Sequence, residues 1–259
     1  MRNSSEHNQL IVHQFTRMAA PFAEMPAHSD QTSMRLLIDS AGIRNDDRVL
    51  DVCCGPGLVS CAIAPRAGHV TGIDITPGMI DQARQLQAKQ QLENMTWAVG
   101  DVTTLPFPAS SFSVVLSRYA FHHLLGPGAV LREIARVCRP GGRVVVADVF
   151  GTSEQQRAAY DRIEKRRDPS HVQALLLREL TDLYVSAGLK VSRTEFYRLG
   201  VELEPLLAGS CTAPAAADDV RRLLANDVEA DQSGFAPHWV GSKLHLSFPV
   251  VILVGRKQR

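Results

Sequence analysis

The chain has 259 residues, 45% of them hydrophobic and 21% charged, with a formal net charge of +1. That composition suits one large α/β domain with a buried core and leaves no electrostatic footprint for nucleic acid or an anionic membrane. The longest apolar run, 248–254, is too short to span a bilayer, and the five cysteines show no CxxC spacing that would indicate zinc or a disulfide framework.

Taken in chain order, the opening MRNSSEHNQL is polar and no small-residue cleavage site follows an apolar run, so a cytoplasmic location is expected. Residues 9–40 read as one or two amphipathic helices. Phe15, Met18 and Phe22 share a face, and Pro21 and Pro26 interrupt it, which predicts a broken helical lid. The first β-rich run is 48–54 (RVLDVCC), followed by a glycine turn and a helix. The second, 69–74 (HVTGID), leads into a helix opened by Pro77 and reaching about Lys89. Residues 95–101 and 112–118 read as strands three and four. A helix over about 127–138 stops at RPGG (139–142), and 143–149 (RVVVADV) reads as strand five. Short strands alternating with helices predict a parallel sheet covered by helices. Beyond this the pattern loosens. Helices are expected over 153–167 and 172–187, a half-exposed strand over 189–199 and a last strand over 245–254. Within the mixed segment 200–241, residues 213–217 read as a loop and 218–230 as a short helix. RIEKRR (162–167) reads as a solvated helix face.

Three strand tips carry candidate chemistry. At the first, DVCCGPG (51–57) contains Asp51, and its small residues Cys54, Gly55 and Gly57 let backbone N–H groups approach a ligand. The glycines lack the GxGxxG spacing of dinucleotide sites. At the second, Asp74 can accept from both hydroxyls of a ribose, or instead cap the helix that starts at Pro77. At the third, Asp101 can accept from an adenine amino group, or simply cap a turn. Ile75 and Val102 would sandwich the ring, with Met79 along one edge.

The runs VLDVCCGPG, GIDITPGMIDQAR, VGDVTTLPFPASSFSVVLSRYAFHHL and LREIARVCRPGGRVVVAD together resemble class I S-adenosylmethionine (SAM) methyltransferases, in particular the branch similar to ubiquinone/menaquinone-biosynthesis methyltransferases. The resemblance implies an α/β, Rossmann-like fold. Its seven-stranded, mostly parallel sheet would have the order 3-2-1-4-5-7-6, with strand 7 antiparallel, helices on both faces and a partly helical lid. It implies one methyltransferase domain over 1–259, with a lid at 1–40, a SAM-binding core at 41–150 and a substrate-facing insertion at about 200–241. SAM is the implied cofactor. Residues 51–57 would hold its methionine part, Asp74 the ribose, Asp101 with Val102 the adenine, and Arg118 would flank the sulfonium. The family often has glycine where this chain has Cys53.

Displacement at a methyl sulfonium depends mainly on alignment, and a base is needed only when the nucleophile carries a proton. His122 and His123 follow strand four and Asp148 ends strand five, so topology brings them to one open face. A histidine held by an aspartate suits a general base or a substrate orienter; capping and packing are the alternatives. Tyr119, His171 and Phe22 are candidate substrate contacts. Phe15 and Phe22 would close the lid from the N-terminus or pack in the core, and the pair His238-Trp239 either lines the acceptor pocket or packs. The expected partner is a small-molecule acceptor, without nucleic acid, membrane or metal, and the chain is compatible with a homodimer. A protein of the same fold that binds SAM without methyl transfer, as a regulatory partner or a cyclase-like enzyme, is the main alternative. An NAD-linked oxidoreductase is disfavoured by the glycine spacing. A nucleic-acid methyltransferase is disfavoured by SRYA (117–120) standing where an Asn-Pro-Pro-Tyr-like tetrapeptide would be.

Overall fold

Valine, leucine and isoleucine crowd the runs that become strands, and their alternation decides which helix each strand meets. The structure, a computed structural model, describes residues 3–24 and 30–258, the backbone alone over 20–24. The strands are β1 (Arg48–Val52), β2 (His69–Asp74), β3 (Met95–Val99), β4 (Phe112–Arg118), β5 (Cys138–Gly151), β6 (Leu175–Leu176), β7 (Leu189–Glu202), β8 (His238–Val240) and β9 (Lys243–Lys257). The helices are α1 (Ser4–Glu24), α2 (Gln31–Ala41), α3 (Leu58–Ile63), α4 (Pro77–Lys89), α5 (Pro127–Val137), α6 (Glu154–Arg167), α7 (Leu177–Ser186), α8 (Leu203–Gly209) and α9 (Pro214–Ala225).

The main sheet runs β3-β2-β1-β4-β5-β9-β7. Its first five strands are parallel, and β9 inserts antiparallel between β5 and β7. This is the expected 3-2-1-4-5-7-6 order with the last strand reversed. Two short strands lie off this path: β6 beside the end of β5, and β8 in a hairpin with β9.

Side chains on successive strand residues point to opposite faces. Leu50, Val115, Val144 and Val146 meet α5 and α7 through Leu131, Ile134, Leu180 and Tyr184. Val49, Val114, Leu116 and Val145 meet α2 and α3 through Leu37, Val59 and Ile63. Both faces are therefore covered, and each of these fully buried aliphatic side chains contributes about 1.5–3 kcal/mol. A third cluster joins Val149 of β5 to Tyr160 and Ile163 of α6, Leu203 and Leu206 of α8, and Phe248 of β9. That cluster rises beside the carboxyl end of β5 and walls one side of the site.

Several boundaries differ from the sequence pattern for local reasons. Helix α1 continues through Pro21, which falls in its last turn; Pro26 lies outside the described residues. Strand β5 begins at Cys138, ahead of RPGG, because the four residues bulge out of the pairing instead of ending it. The register jumps from Phe112↔Cys138 to Val114↔Arg143. Gly142 makes that possible: a Cβ there would lie 2.6 Å from Cys138 Sγ. Helix α7 starts at Leu177, since β6 takes the preceding two residues. Helix α9 starts at Pro214 in place of the expected loop, proline being suited to a first helical turn. Among the described residues, no helix is long and apolar enough to cross a membrane.

Candidate active site

The turn leaving β1 is shaped by residues in the left-handed region, with φ of 58° at Cys53, 51° at Gly55 and 79° at Gly57. A Cβ on Gly55 would meet nothing within 4 Å, whereas one on Gly57 would lie 2.7 Å from Trp97 Cη2 and 2.8 Å from Ala83 Cβ. Gly57 thus lets the turn press against β3 and α4. Gly57→Ala is expected to destabilise the fold by about 2 kcal/mol or more, read as a lower urea midpoint with an unchanged slope.

Asp51 is buried, and Ser60 Oγ donates to its Oδ2 at 2.6 Å. Burial pushes its carboxyl up to about 7, against the Ser60 hydrogen bond and helped by the Asp74 charge. Asp74 Oδ2 accepts from the Gly55 N–H and Oδ1 from the Thr76 N–H, both at 2.9 Å. Each oxygen keeps a second acceptor position. Burial raises the Asp74 carboxyl as well, despite those hydrogen bonds. Asp101 Oδ1 accepts from the N–H and hydroxyl of Thr103 at 2.8 and 2.7 Å, while Oδ2 accepts from Asn8 of α1 at 2.8 Å. Burial lifts the Cys53 and Cys54 thiols well above their ordinary range, so neither is a reactive thiolate.

These strand tips surround a cavity of about 290 Å³. Asp51, Cys54, Gly55, Asp74, Ile75, Met79, Asp101, Val102, Arg118 and Tyr119 all line it. Gly57 does not; it supports the turn from behind. Helix α1 roofs the cavity with His7, Asn8, Ile11 and Phe15. It is fastened by Asn8 to Asp101 and by His7 Nε2 to the His123 carbonyl at 2.7 Å.

A smaller chamber of about 70 Å³ adjoins the first, and Phe15, Tyr119 and His123 line both. Tyr119, at φ 56°, turns the chain out of β4 into the segment carrying the histidines. Its hydroxyl lies 2.5 Å from that of Tyr197, and the Arg118 guanidinium carbon sits 4.4 Å from its ring centre. Arg118 also donates to Ser33 Oγ at 3.0 Å. His122 lines only the smaller chamber, and its Nδ1 lies 2.6 Å from Asp148 Oδ1. Burial alone would lower the His122 pKa; the Asp148 carboxylate outweighs it and raises the pKa, while the same pairing holds Asp148 below its usual value. Burial pushes the His123 pKa down to about 3, with the His122 charge adding to it.

Several expected contacts fall elsewhere. Asp148 lines neither cavity; it is spent on His122 and on the N–H groups of Ala120, Phe121 and Val149. Its contact with His122 holds that ring in position. His171 is buried, with Nε2 2.7 Å from Asp161 Oδ1, and lines neither cavity. His238 and Trp239 sit on the exposed β8 hairpin, Trp239 with 53% of its surface accessible. The Phe22 side chain lies outside the described residues. RIEKRR is not wholly solvated: Glu164 and Arg167 are 2% and 9% exposed and line the smaller chamber. Residues 160, 163, 164 and 167 lie on one helical face, a spacing that marks them as inward-facing. Among the described residues, no group of three or more His, Cys, Asp or Glu is placed to hold a metal ion.

Residues 50–146 match the model of a methyltransferase domain family. An uncharacterized protein of Escherichia coli, YafE, is 33% identical over 166 residues, spanning 64% of this chain and 80% of its own. The chain belongs to the class I SAM-dependent methyltransferases. An uncharacterized Bacillus subtilis methyltransferase, YcgJ, is 27% identical over 191 residues, 73% of this chain and 76% of its own. The YcgJ crystal structure superposes with a TM-score of 0.82 at 24% identity, covering 88% of this chain and 99% of the other, which shows a shared fold. The ubiquinone/menaquinone biosynthesis C-methyltransferase of a Ruegeria species is 34% identical over 115 residues, 43% of this chain and 46% of that enzyme. The methyltransferase match thus centres on the strand tips that line the larger cavity.

Proposed function

We propose that this enzyme methylates a small-molecule acceptor, with SAM in the larger cavity and the acceptor in the smaller chamber. The observation that carries this is the shared wall of Phe15, Tyr119 and His123, which sets a chamber of about 70 Å³ against the strand-tip cavity. An acceptor reached through such a space has to be compact.

The lining suits the cofactor part by part. Asp74 has acceptor positions left for a ribose diol. Ile75, Val102 and Met79 offer apolar contact for adenine. Asp51 is a buried carboxyl that an ammonium would ionise. Arg118 lines the larger cavity, where it would flank the methyl end, and its guanidinium carbon sits 4.4 Å from the Tyr119 ring centre. When bound, SAM supplies a methyl group on a positively charged sulfur, open to in-line displacement. His122 and His123 stand on the acceptor side, and Asp148 holds His122 in position.

The Asp51 carboxyl supplies the test. S-adenosylhomocysteine carries the same ammonium group as SAM. Its binding at pH 6 is expected to expel most of a proton, because a carboxyl titrating at about 7 is mostly protonated there. At pH 8 the release should be nearly absent, and Asp51→Asn should abolish it. Calorimetry in buffers of different ionisation enthalpy measures the proton count. No binding of S-adenosylhomocysteine by the folded chain, or tighter binding of NADH, overturns the proposal.

A further inference from the structure

We infer that the smaller chamber selects a cationic amine, an ammonium group on a compact apolar body, and that Asp168 is the residue that anchors the ammonium. This rests on the reading above that the chamber takes the acceptor.

The anchor is a buried carboxylate with half of its hydrogen bonding unused. Asp168 is 2% exposed. Its Oδ1 accepts from the Ser170 N–H at 2.9 Å and from the Ser170 hydroxyl at 2.5 Å. Its Oδ2 has no hydrogen-bond partner among the described residues, and the carboxylate forms no ion pair among them. That oxygen is not sealed in the core, and Asp168 lines the smaller chamber. Despite burial, the positive groups nearby and the Ser170 hydrogen bonds hold the carboxyl below its usual value, so it carries its charge at neutral pH. A buried carboxylate in this state is costly, and a ligand that brings both N–H donors and a positive charge relieves it. A second acceptor stands beside it. His123 Nδ1 lies 3.1 Å from the Ser170 oxygen. Ser170 has a single hydroxyl proton and gives it to Asp168, so His123 Nδ1 donates and Nε2 is left to accept.

The charge balance of the chamber separates a cation from an anion. Glu164, Arg167 and Asp168 line it, two carboxylates against one guanidinium. His122 changes nothing, since it brings its own counter-charge in Asp148. Each terminal nitrogen of Arg167 keeps one N–H that can reach a ligand, but the charge of Arg167 is already matched: Glu164 takes Nε and Nη2 at 2.8 and 2.6 Å. The net charge left over is negative. An anion would add to it in a low-dielectric space, and an ammonium cancels it. A hydroxyl can donate to Oδ2 but leaves the charge standing. The rest of the wall suits the other end of such a ligand. Phe15, Met18, Tyr160 and Phe248 line the chamber, and aromatic rings also attract ammonium groups. A volume of about 70 Å³ holds about five waters by the same measure, which limits the apolar body to a small one.

The test uses the full chain saturated with S-adenosylhomocysteine and three probes of similar size: benzylamine, benzyl alcohol and benzoate. Calorimetry near neutral pH reads their affinities. Benzylamine is expected to bind at least tenfold tighter than either of the others. Asp168→Asn should weaken benzylamine at least tenfold and change benzyl alcohol by less than threefold, so that the preference disappears. The ranking in the wild-type chain decides the matter even where the variant does not fold. Equal or tighter binding of benzoate or benzyl alcohol, a benzylamine preference that survives in folded Asp168→Asn, or no probe binding to the loaded protein overturns the inference while leaving the cofactor reading intact. If S-adenosylhomocysteine itself fails to bind, the cofactor reading falls, and the same titrations on the unloaded chain decide the chamber separately.

Discussion

Asp74→Ala is expected to weaken S-adenosylhomocysteine binding by roughly 100- to 1,000-fold, about 3–4 kcal/mol, with a far smaller loss of stability. The carboxylate is buried, and each oxygen already serves one backbone N–H, from Gly55 and Thr76. A ribose diol would add two charge-assisted hydrogen bonds, each worth about 1.5–3 kcal/mol when its partner is removed. A mere cap on α4 behaves differently: its loss costs about 1 kcal/mol of stability and leaves ligand affinity alone. Calorimetry beside urea unfolding separates the two. Unchanged affinity in a folded Asp74→Ala protein removes Asp74 from the cofactor site. Asp74→Asn keeps one oxygen acceptor and should fall between the two.

Asp148→Asn is expected to destabilise the fold by about 3–5 kcal/mol, because it breaks a buried pair and turns an amide N–H₂ toward groups that donate. The effect should depend on pH. His122 has a raised folded-state pKa, so its contribution is complete below the ordinary 6.5 and is lost as pH rises through the raised value. Asp148 has a lowered one, so its contribution is complete above 3.8 and is lost as pH falls through the lowered value. The gap between wild type and variant should be widest from pH 3.8 to 6.5 and narrow on either side. A gap that stays constant through pH 8 means that His122 does not carry a proton in the pair.

The strand-tip half of the candidate site is legible in the sequence because its signals are local. Small residues at Cys54, Gly55 and Gly57, followed at strand ends by Asp74 and Asp101, sit where parallel topology delivers them to one edge. The acceptor half is not, because its geometry depends on long-range packing. His171 looks like His123 in sequence, yet its Nε2 pairs with Asp161 away from both cavities. Arg167 looks like a surface charge, yet it faces inward, paired with Glu164 one turn earlier on α6 and donating to Ser210 just past α8. Strand order brings Asp148 beside His122, but its oxygens are also taken by backbone N–H groups, a detail no pattern carries. Asn8 and His7 were invisible for the same reason: a polar helix start gives no sign that it will reach Asp101 and the His123 carbonyl.

The roof formed by α1 bears on timing. The larger cavity lies beneath a helix tethered near its start by two hydrogen bonds, to Asp101 and to the carbonyl of His123. With the cofactor bound as proposed, lifting of that helix would open the larger cavity and withdraw Phe15 from the wall of the smaller chamber in the same movement. Departure of product and entry of the next reactants would then be coupled through one structural element, the docked helix.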